Sequence, residues 1–349
     1  MAGRPRFWHD ARVKLAASLV LAVAIFWFLF KRVDVAGVWA TIEAMTWLEL
    51  ASITLVAVWN LVAHWALWVA VTPGLSWPRA AIVAQSGTAV TNTIPGGSGI
   101  GVGLIYAMLD SWGFPRGRST QAVLISGLWN SFIKLGMPLF ALGLLALEGD
   151  AGGGRVAAGV GAFVLLAAAV VLLVLVLGSD RVAARVGATA ARLASKALAI
   201  VRRPPVAGWD QATVKFRRRT NELLAVRLLW ITAAALVSHL SLYLVLLVSL
   251  RHVGVGDELV SWVQVLAVFA TARLLTMVRF TPGGVGLVEG ILIGGLVAAG
   301  GPAAQVTAAV LVFRALTWLL PVPLGGLTYL VWRLGEGRRR SLEQVRAAR

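Results

Sequence analysis

The feature that most constrains this chain is a helix-breaking motif set twice inside long apolar stretches. Thr281-Pro282-Gly283-Gly284-Val285-Gly286-Leu287-Val288-Glu289 is one copy, and Thr93-Ile94-Pro95-Gly96-Gly97-Ser98-Gly99 is the other. A shift of 187 positions superposes Pro95 on Pro282, Gly96 and Gly97 on Gly283 and Gly284, and Gly99 on Gly286. The same shift carries Gly103 to Gly290, Gly113 to Gly300, Pro115 to Pro302, and Ala122-Val123-Leu124 to Ala309-Val310-Leu311 without a gap. The chain is internally duplicated about these two breaks.

The surroundings decide what the breaks interrupt. Of 349 residues, 59% are hydrophobic and 13% charged, and several apolar runs reach the roughly 20 residues that a bilayer crossing needs. The chain therefore reads as an all-α polytopic membrane protein. With no cysteine, thiolate metal sites and disulfides are excluded, and His9, His64, His239 and His252 show no metal-ligand spacing, so no metal or other cofactor is expected. The net charge of +17 lies in the loops between apolar runs, so anionic lipid, and not nucleic acid, is the expected counter-charge.

Six spans are expected, at about Val13–Phe30, Trp47–Ala70, Thr120–Leu147, Val156–Leu177, Leu228–Leu250 and Ala303–Leu330. The first follows Arg4, Arg6, Arg12 and Lys14 but lacks a small-residue cleavage site, and is read as a retained span. The stretches Trp77–Asp110 and Glu258–Ala299 are apolar but broken at Pro95 and Pro282. Each arm of the first is about 11–17 residues, too short to cross alone at about 1.5 Å per residue. Proline removes a helix hydrogen bond and glycine weakens the helix, so each broken stretch reads as a re-entrant hairpin of two half-helices. Residues 178–227 hold 11 Arg or Lys against three acids and read as a basic cytoplasmic linker with an amphipathic helix from Arg181 to Val201.

This layout puts 24 of the 32 basic residues on one side of the membrane, with both termini and residues 178–227; the opposite loops keep only Lys31, Arg32, Arg155 and Arg251. By the positive-inside rule the first side is cytoplasmic, which places the protein in the cell membrane with both termini inside. Repeat one (47–147) and repeat two (228–330) then run in opposite orientation, the inverted-repeat plan of many transporters.

Chemistry in such a chain rests on polar groups stranded among apolar residues, where a charge costs at least a few kcal/mol. The candidates are Lys134 in the third span, Arg273 and Arg279 before the second break, Glu289 one turn after it, and Arg314 in the sixth span. Glu289 and Arg314 are expected to pair or to line one polar cavity, either bracing the hairpin or contacting substrate. Lys134 could snorkel or meet helix-end carbonyls near Pro95, and Arg279 could cap the half-helix before the break. His64 and His239 read as packing or interface residues, and Trp47, Trp77 and Trp262 as interfacial aromatics. Pro282, Gly283, Gly284 and Gly286, and Pro95, Gly96 and Gly97 opposite, would turn the backbone sharply and offer half-helix N–H groups to a phosphate or carboxylate.

Pro282-Gly283-Gly284-Val285-Gly286…Glu289, followed by Phe313-Arg314 and Pro321, resembles the integral-membrane region of lysylphosphatidylglycerol synthases and related stand-alone flippase-like proteins. Asn92…Pro95-Gly96 is similar to the first-half motif of that family, and the likeness runs from about Leu15 to Leu330. It implies a role in lipid flipping or handling, with Glu289 and Arg314 as a recurrent polar pair. Two departures are visible: Phe313 stands where a tyrosine commonly precedes the arginine, and Val102 where relatives often carry an acid. The short tail after Leu330 is not expected to hold the aminoacyl-transferring domain of the full-length synthases.

The expectation is a lipid translocase, not an enzyme, moving a phospholipid or polyprenyl-phosphate-linked headgroup between leaflets. Gly149–Gly154 lacks the Lys-Ser/Thr of a nucleotide-binding loop. The alternative is a membrane component or accessory subunit of a lipid-linked glycosyl or aminoacyl transfer enzyme; a homo-oligomer or a partner membrane enzyme is compatible with either. Single cysteines introduced at Gly152 and Arg203 should label from opposite sides of the membrane with an impermeant reagent. Labelling from one side would remove the inverted arrangement.

Overall fold

The computed structural model describes residues 35–94, 97–147, 153–200, 204–277 and 282–347, and they form helices joined by short turns. In chain order these are α1 (Val35–Glu43), α2 (Trp47–Val71), α3 (Trp77–Thr93), α4 (Gly97–Ser111), α5 (Arg116–Leu147), α6 (Gly153–Gly178), α7 (Asp180–Ile200), α8 (Trp209–His252), α9 (Trp262–Leu275), α10 (Leu287–Ala298), α11 (Ala303–Arg314) and α12 (Pro321–Ala347). A 3-10 turn, Pro282–Gly284, precedes α10, and a π-helical turn, Ala315–Leu319, joins α11 to α12.

Among the described residues four helices are long and apolar enough to cross a bilayer: α2, α5, α8 and the stretch Ala303–Gly335. A fifth span results if Phe163–Gly178 and Asp180–Lys196, which turn through 117°, are counted together. The protein is thus a multi-pass, all-helical membrane protein. The expected first span, Val13–Phe30, lies outside the described residues. The helix that carries the expected span Leu228–Leu250 begins at Trp209, so the second half of the basic 178–227 interval is continuous helix. Residues 209–227 contain no proline, and their lone interruption signal, Gly208, sits before the helix in a left-handed conformation.

The outward faces stay apolar. Leu55, Leu229 and Trp230 are more than two-thirds exposed, a pattern that fits lipid as the solvent. Trp47, Trp77 and Trp262 are each the first residue of a helix and remain exposed, as interfacial aromatics would.

Local signals set the helix ends. Thr46 and Ser261 cap α2 and α9 with reciprocal capping boxes through Glu49 and Gln264. The duplicated Gly113 and Gly300 both stop a helix at positive φ (81° and 111°). The closing bonds also match: Phe114 N–H donates to Leu109 O and Gly301 N–H to Leu296 O, both at 3.0 Å.

The bundle is tied across the repeats. α2 packs along α8, α3 against α12, and α9 against α5. Asn60 Nδ2 on α2 donates to Ser238 O and Ser241 Oγ on α8 at 2.7 and 2.9 Å. On α3 and α12 a close approach at Gly325 leaves no room for a side chain, since a Cβ there would meet Gln85 O at 2.4 Å. Ser86 Oγ reaches Thr328 Oγ1 across that contact at 3.0 Å.

α7 folds back and packs on α8, where Arg217 and Arg218 donate to the two carboxylate oxygens of Asp180 at 2.7 and 3.1 Å. The hydrogen bond from Arg218, with the charge of both arginines, holds the Asp180 carboxyl below its ordinary value. A depressed carboxylate contributes its share of stability above the unfolded-state value and loses it as pH falls through the folded one. Asp180→Asn should therefore speed trypsin cleavage at Arg181 and Arg185 at neutral pH and leave the parent's rate unmatched until the parent is taken below the ordinary aspartate range.

Candidate functional site

The second break supplies the centre of the site. Gly283, Gly284 and Gly286 have φ of 60°, 70° and 84°, a region in which a Cβ is strained, and they turn the chain within five residues from Pro282 to α10. Glu289 is the third residue of α10 and reaches back so that Gly286 N–H donates to its Oε2 at 2.7 Å. Arg314, the last residue of α11, donates through Nε to Glu289 Oε1 at 2.6 Å and through Nη2 to Gly283 O at 3.2 Å. Glu289 is 3% exposed, so the pair is held away from solvent, and the carboxylate also benefits from the positive end of α10.

The turn between α11 and α12 positions Arg314. Pro321 has no N–H to return to Thr317 O, and the chain widens into the π-turn, closed by Leu320 N–H donating to Ala315 O at 2.8 Å. The widened turn brings Trp318 beneath the guanidinium, with Arg314 Cζ 5.3 Å from the ring centroid. It also lays the indole against Gly283, where a Cβ would fall 1.9 Å from Trp318 Nε1. Asn92 Nδ2, on the residue three before Pro95 of the first break, approaches Trp318 O at 3.4 Å. The end of α3 thus packs against the second break.

A cavity of ≈ 210 Å³ opens there. Its cationic walls are Arg314 and Arg273; its amide and imidazole walls include Asn60, His64, Gln85, Asn92, Asn130 and His239; Phe269, Leu292 and Phe313 supply apolar surface. Among the described residues no carboxylate lines it, because Glu289 stands behind Arg314. Several wall groups are buried without a hydrogen-bond partner: Trp318 Nε1, His239 Nδ1 and Gln85 Oε1. His239 Nε2 and Asn130 Oδ1 are 3.0 Å apart, so one imidazole nitrogen is anchored and the other is turned to other use.

Arg273, Arg314, Asn92 and Gly283 come together on the cavity, and Glu289, Gly286, Gly284 and Pro282 build its support. Pro95, Gly96 and Arg279 lie outside the described residues. Gly97 opens α4 against α3, where a Cβ would meet Val90 O at 2.3 Å. Lys134 does not line the cavity, although Asn130, one turn earlier on α5, does. At the second break the Gly286 N–H is taken by the chain's own Glu289. His64 and His239, read from the sequence as packing or interface residues, lie on the cavity wall beside Asn60, Gln85 and Asn130. Their signal was present in the sequence as spacing: Asn60 and His64, or Gln85, Thr88 and Asn92, recur at helical period on apolar runs.

A family model for the lysylphosphatidylglycerol synthase TM region matches residues 15–325. The chain belongs to that family. Its match spans both breaks, the Glu289–Arg314 pair and the cavity walls, and marks a membrane protein of a family linked to lipid modification or flipping. Among curated proteins no match was found.

This geometry sets two stability outcomes. Gly283→Ala should cost about 1–3 kcal/mol, from positive φ and collision with Trp318, in thermal unfolding of the detergent-solubilised protein. Glu289→Gln should cost about 3 kcal/mol by leaving Arg314 buried without its counter-charge, whereas Glu289→Leu/Arg314→Met should recover most of that loss. Equal unfolding temperatures for the single and double variants would show that the pair is not electrostatically coupled.

Proposed function

We propose that this chain is a lipid translocase of the cell membrane, without enzymatic activity of its own, that receives an anionic lipid headgroup in the central cavity. The observation that carries this reading is the cavity's composition: two arginines, buried polar atoms without a hydrogen-bond partner and, among the described residues, no carboxylate, set within an apolar bundle. A guanidinium can hold a phosphate through two parallel hydrogen bonds, and Arg314 is already oriented by Glu289 through Nε, with Nη1 left for a ligand. Glu289 acts by positioning Arg314. The amide and imidazole groups of Asn92, Asn130 and His239 would bond the polar remainder of a phospholipid or polyprenyl-phosphate-linked headgroup.

In this reading six crossings and two re-entrant hairpins form inverted repeats, 47–147 and 228–330, joined by the basic interval 178–227, with both termini cytoplasmic. The exchange of contacts supports it: each repeat's broken stretch packs on the last span of the other, α3 on α12 and α9 on α5, while α2 and α8 lie side by side. The helix arms at the breaks, of 17, 15, 14 and 12 residues, are each shorter than a full crossing. Alternate opening of the two hairpins would expose the cavity to each leaflet in turn.

Transfer of labelled phospholipid between leaflets of reconstituted liposomes tests the proposal. The parent should accelerate transfer; Arg314→Lys and Arg273→Gln should lower the rate about tenfold or more at equal reconstituted amounts, since lysine cannot copy a bidentate contact. Parent liposomes no faster than empty ones would move the function to the rival suggested by the family's name, a membrane component of a lipid-modifying enzyme.

A further inference from the structure

A second cleft, about nine residues along α5 from the central cavity (on the order of 14 Å), has the character of an anion site. α5 starts directly after Pro115, and its first turn carries Arg116 and Arg118 with no acid. Cations at a helix N-terminus oppose the dipole, whereas an anion there is favoured. α8 passes this end and adds two more cations, Arg219 and Arg227. The Arg219 guanidinium lies over Gly117, where a Cβ would fall 1.6 Å from Nη1, so the bare glycine makes its seat. Gln121 Nε2 donates to Arg219 O at 2.8 Å and fixes this part of α8 against α5. Arg227 Nη1 donates to Val69 O at 3.2 Å, at the end of α2.

These elements enclose a cleft of ≈ 560 Å³ walled by Arg118, Arg219 and Arg227, with Glu222 its single carboxylate among the described residues. Thr72 also lines it, and this side chain is 2% exposed while its Oγ1 has no hydrogen-bond partner. Three arginines lining one cleft beside a helix N-terminus, with a single carboxylate among the described residues, are a recognition set for a tetrahedral oxyanion.

We propose that this cleft binds a phosphate-type oxyanion, the chemistry shared by an anionic phospholipid headgroup and a free phosphate ester. It shares no lining residue with the central cavity, and it does not depend on the translocase reading. Anionic charge in the cleft offsets the arginines that α5 and α8 bring together, and so fastens α8 to the start of α5.

The test uses the full chain in zwitterionic detergent, titrated with short-chain phosphatidylglycerol by native mass spectrometry and with inorganic phosphate by calorimetry. Arg118→Gln/Arg219→Gln should weaken phosphatidylglycerol binding about tenfold relative to the parent. Glu222→Gln removes the opposing charge and should tighten binding, a direction that misfolding cannot imitate. If only the phosphatidylglycerol isotherm moves, the ligand is a lipid headgroup; if inorganic phosphate moves equally, it is a free phosphate. Unchanged affinities for both ligands in the double arginine variant, or a Glu222→Gln protein that binds no tighter than the parent, overturn the proposal.

Discussion

The buried contact between Glu289 and Arg314 is the constraint on which the rest of the site depends. Neither charge is tolerable alone among apolar helices, so each fixes where the other's helix ends. Glu289 must stand in the first turn of α10, near the helix's positive end, and α10 must therefore begin immediately after the glycine turn. Arg314 must close α11, and the chain can then leave by a π-turn that swings Trp318 under the guanidinium. Gly283 is required twice by this arrangement: its positive φ turns the backbone, and its missing side chain makes room for the indole. Its carbonyl then accepts from Arg314, so the turn and the pair are one unit.

Because the ion pair neutralises itself, the cavity's electrostatics come from the groups outside it. Glu289 spends its two oxygens on Arg314 and on the Gly286 N–H, both inside the protein. Arg314 keeps one edge of its guanidinium toward the cavity, and Arg273 adds a second cation from α9. Among the described residues this polar space is lined by two cations and no carboxylate inside a hydrocarbon-like shell, where an anion would interact far more strongly than at the membrane surface. The carboxylate that looks most chemical in the sequence is thus bonded within the protein, and the amides and imidazoles that look structural line the cavity.

Much of the fold was legible from hydropathy because a bilayer admits few alternatives to helices. The limits of α2 and α5 and the place of both breaks come from apolar length and from proline and glycine. The pairing of Glu289 with Arg314 was also legible, since two isolated opposite charges in apolar runs have little else to meet. The extension of α8 back to Trp209 was not, because a basic amphipathic stretch that continues a span differs from a solvated linker only in what it packs on, here α7 through Asp180. The cavity walls were missed for another reason. Each of Asn60, His64, Gln85 and Asn130 is unremarkable alone, and they become a site only when the exchange of partners between repeats brings α2, α3, α5 and α8 around one space. At the second break the Gly286 N–H finds its acceptor three residues on, in Glu289.

The duplication itself has a physical consequence that sequence spacing makes concrete. At the shared offset of 187, Arg273, Glu289 and Arg314 of the second half correspond to Ser86, Val102 and Gly127 of the first. Both halves keep the helix stop at Gly113 and Gly300, and both give a polar residue to the cavity at the matched positions Asn130 and Thr317. The backbone plan is therefore shared, while the charged residues that line the cavity come from the second half and Lys134 of the first half does not line it. A cavity with equivalent charged walls would hold an anion equally from either repeat and would bury twice as many ions, each at the cost of desolvation. Symmetric breaks with one buried ion pair, Glu289–Arg314, among the described residues keep that desolvation cost to a single pair.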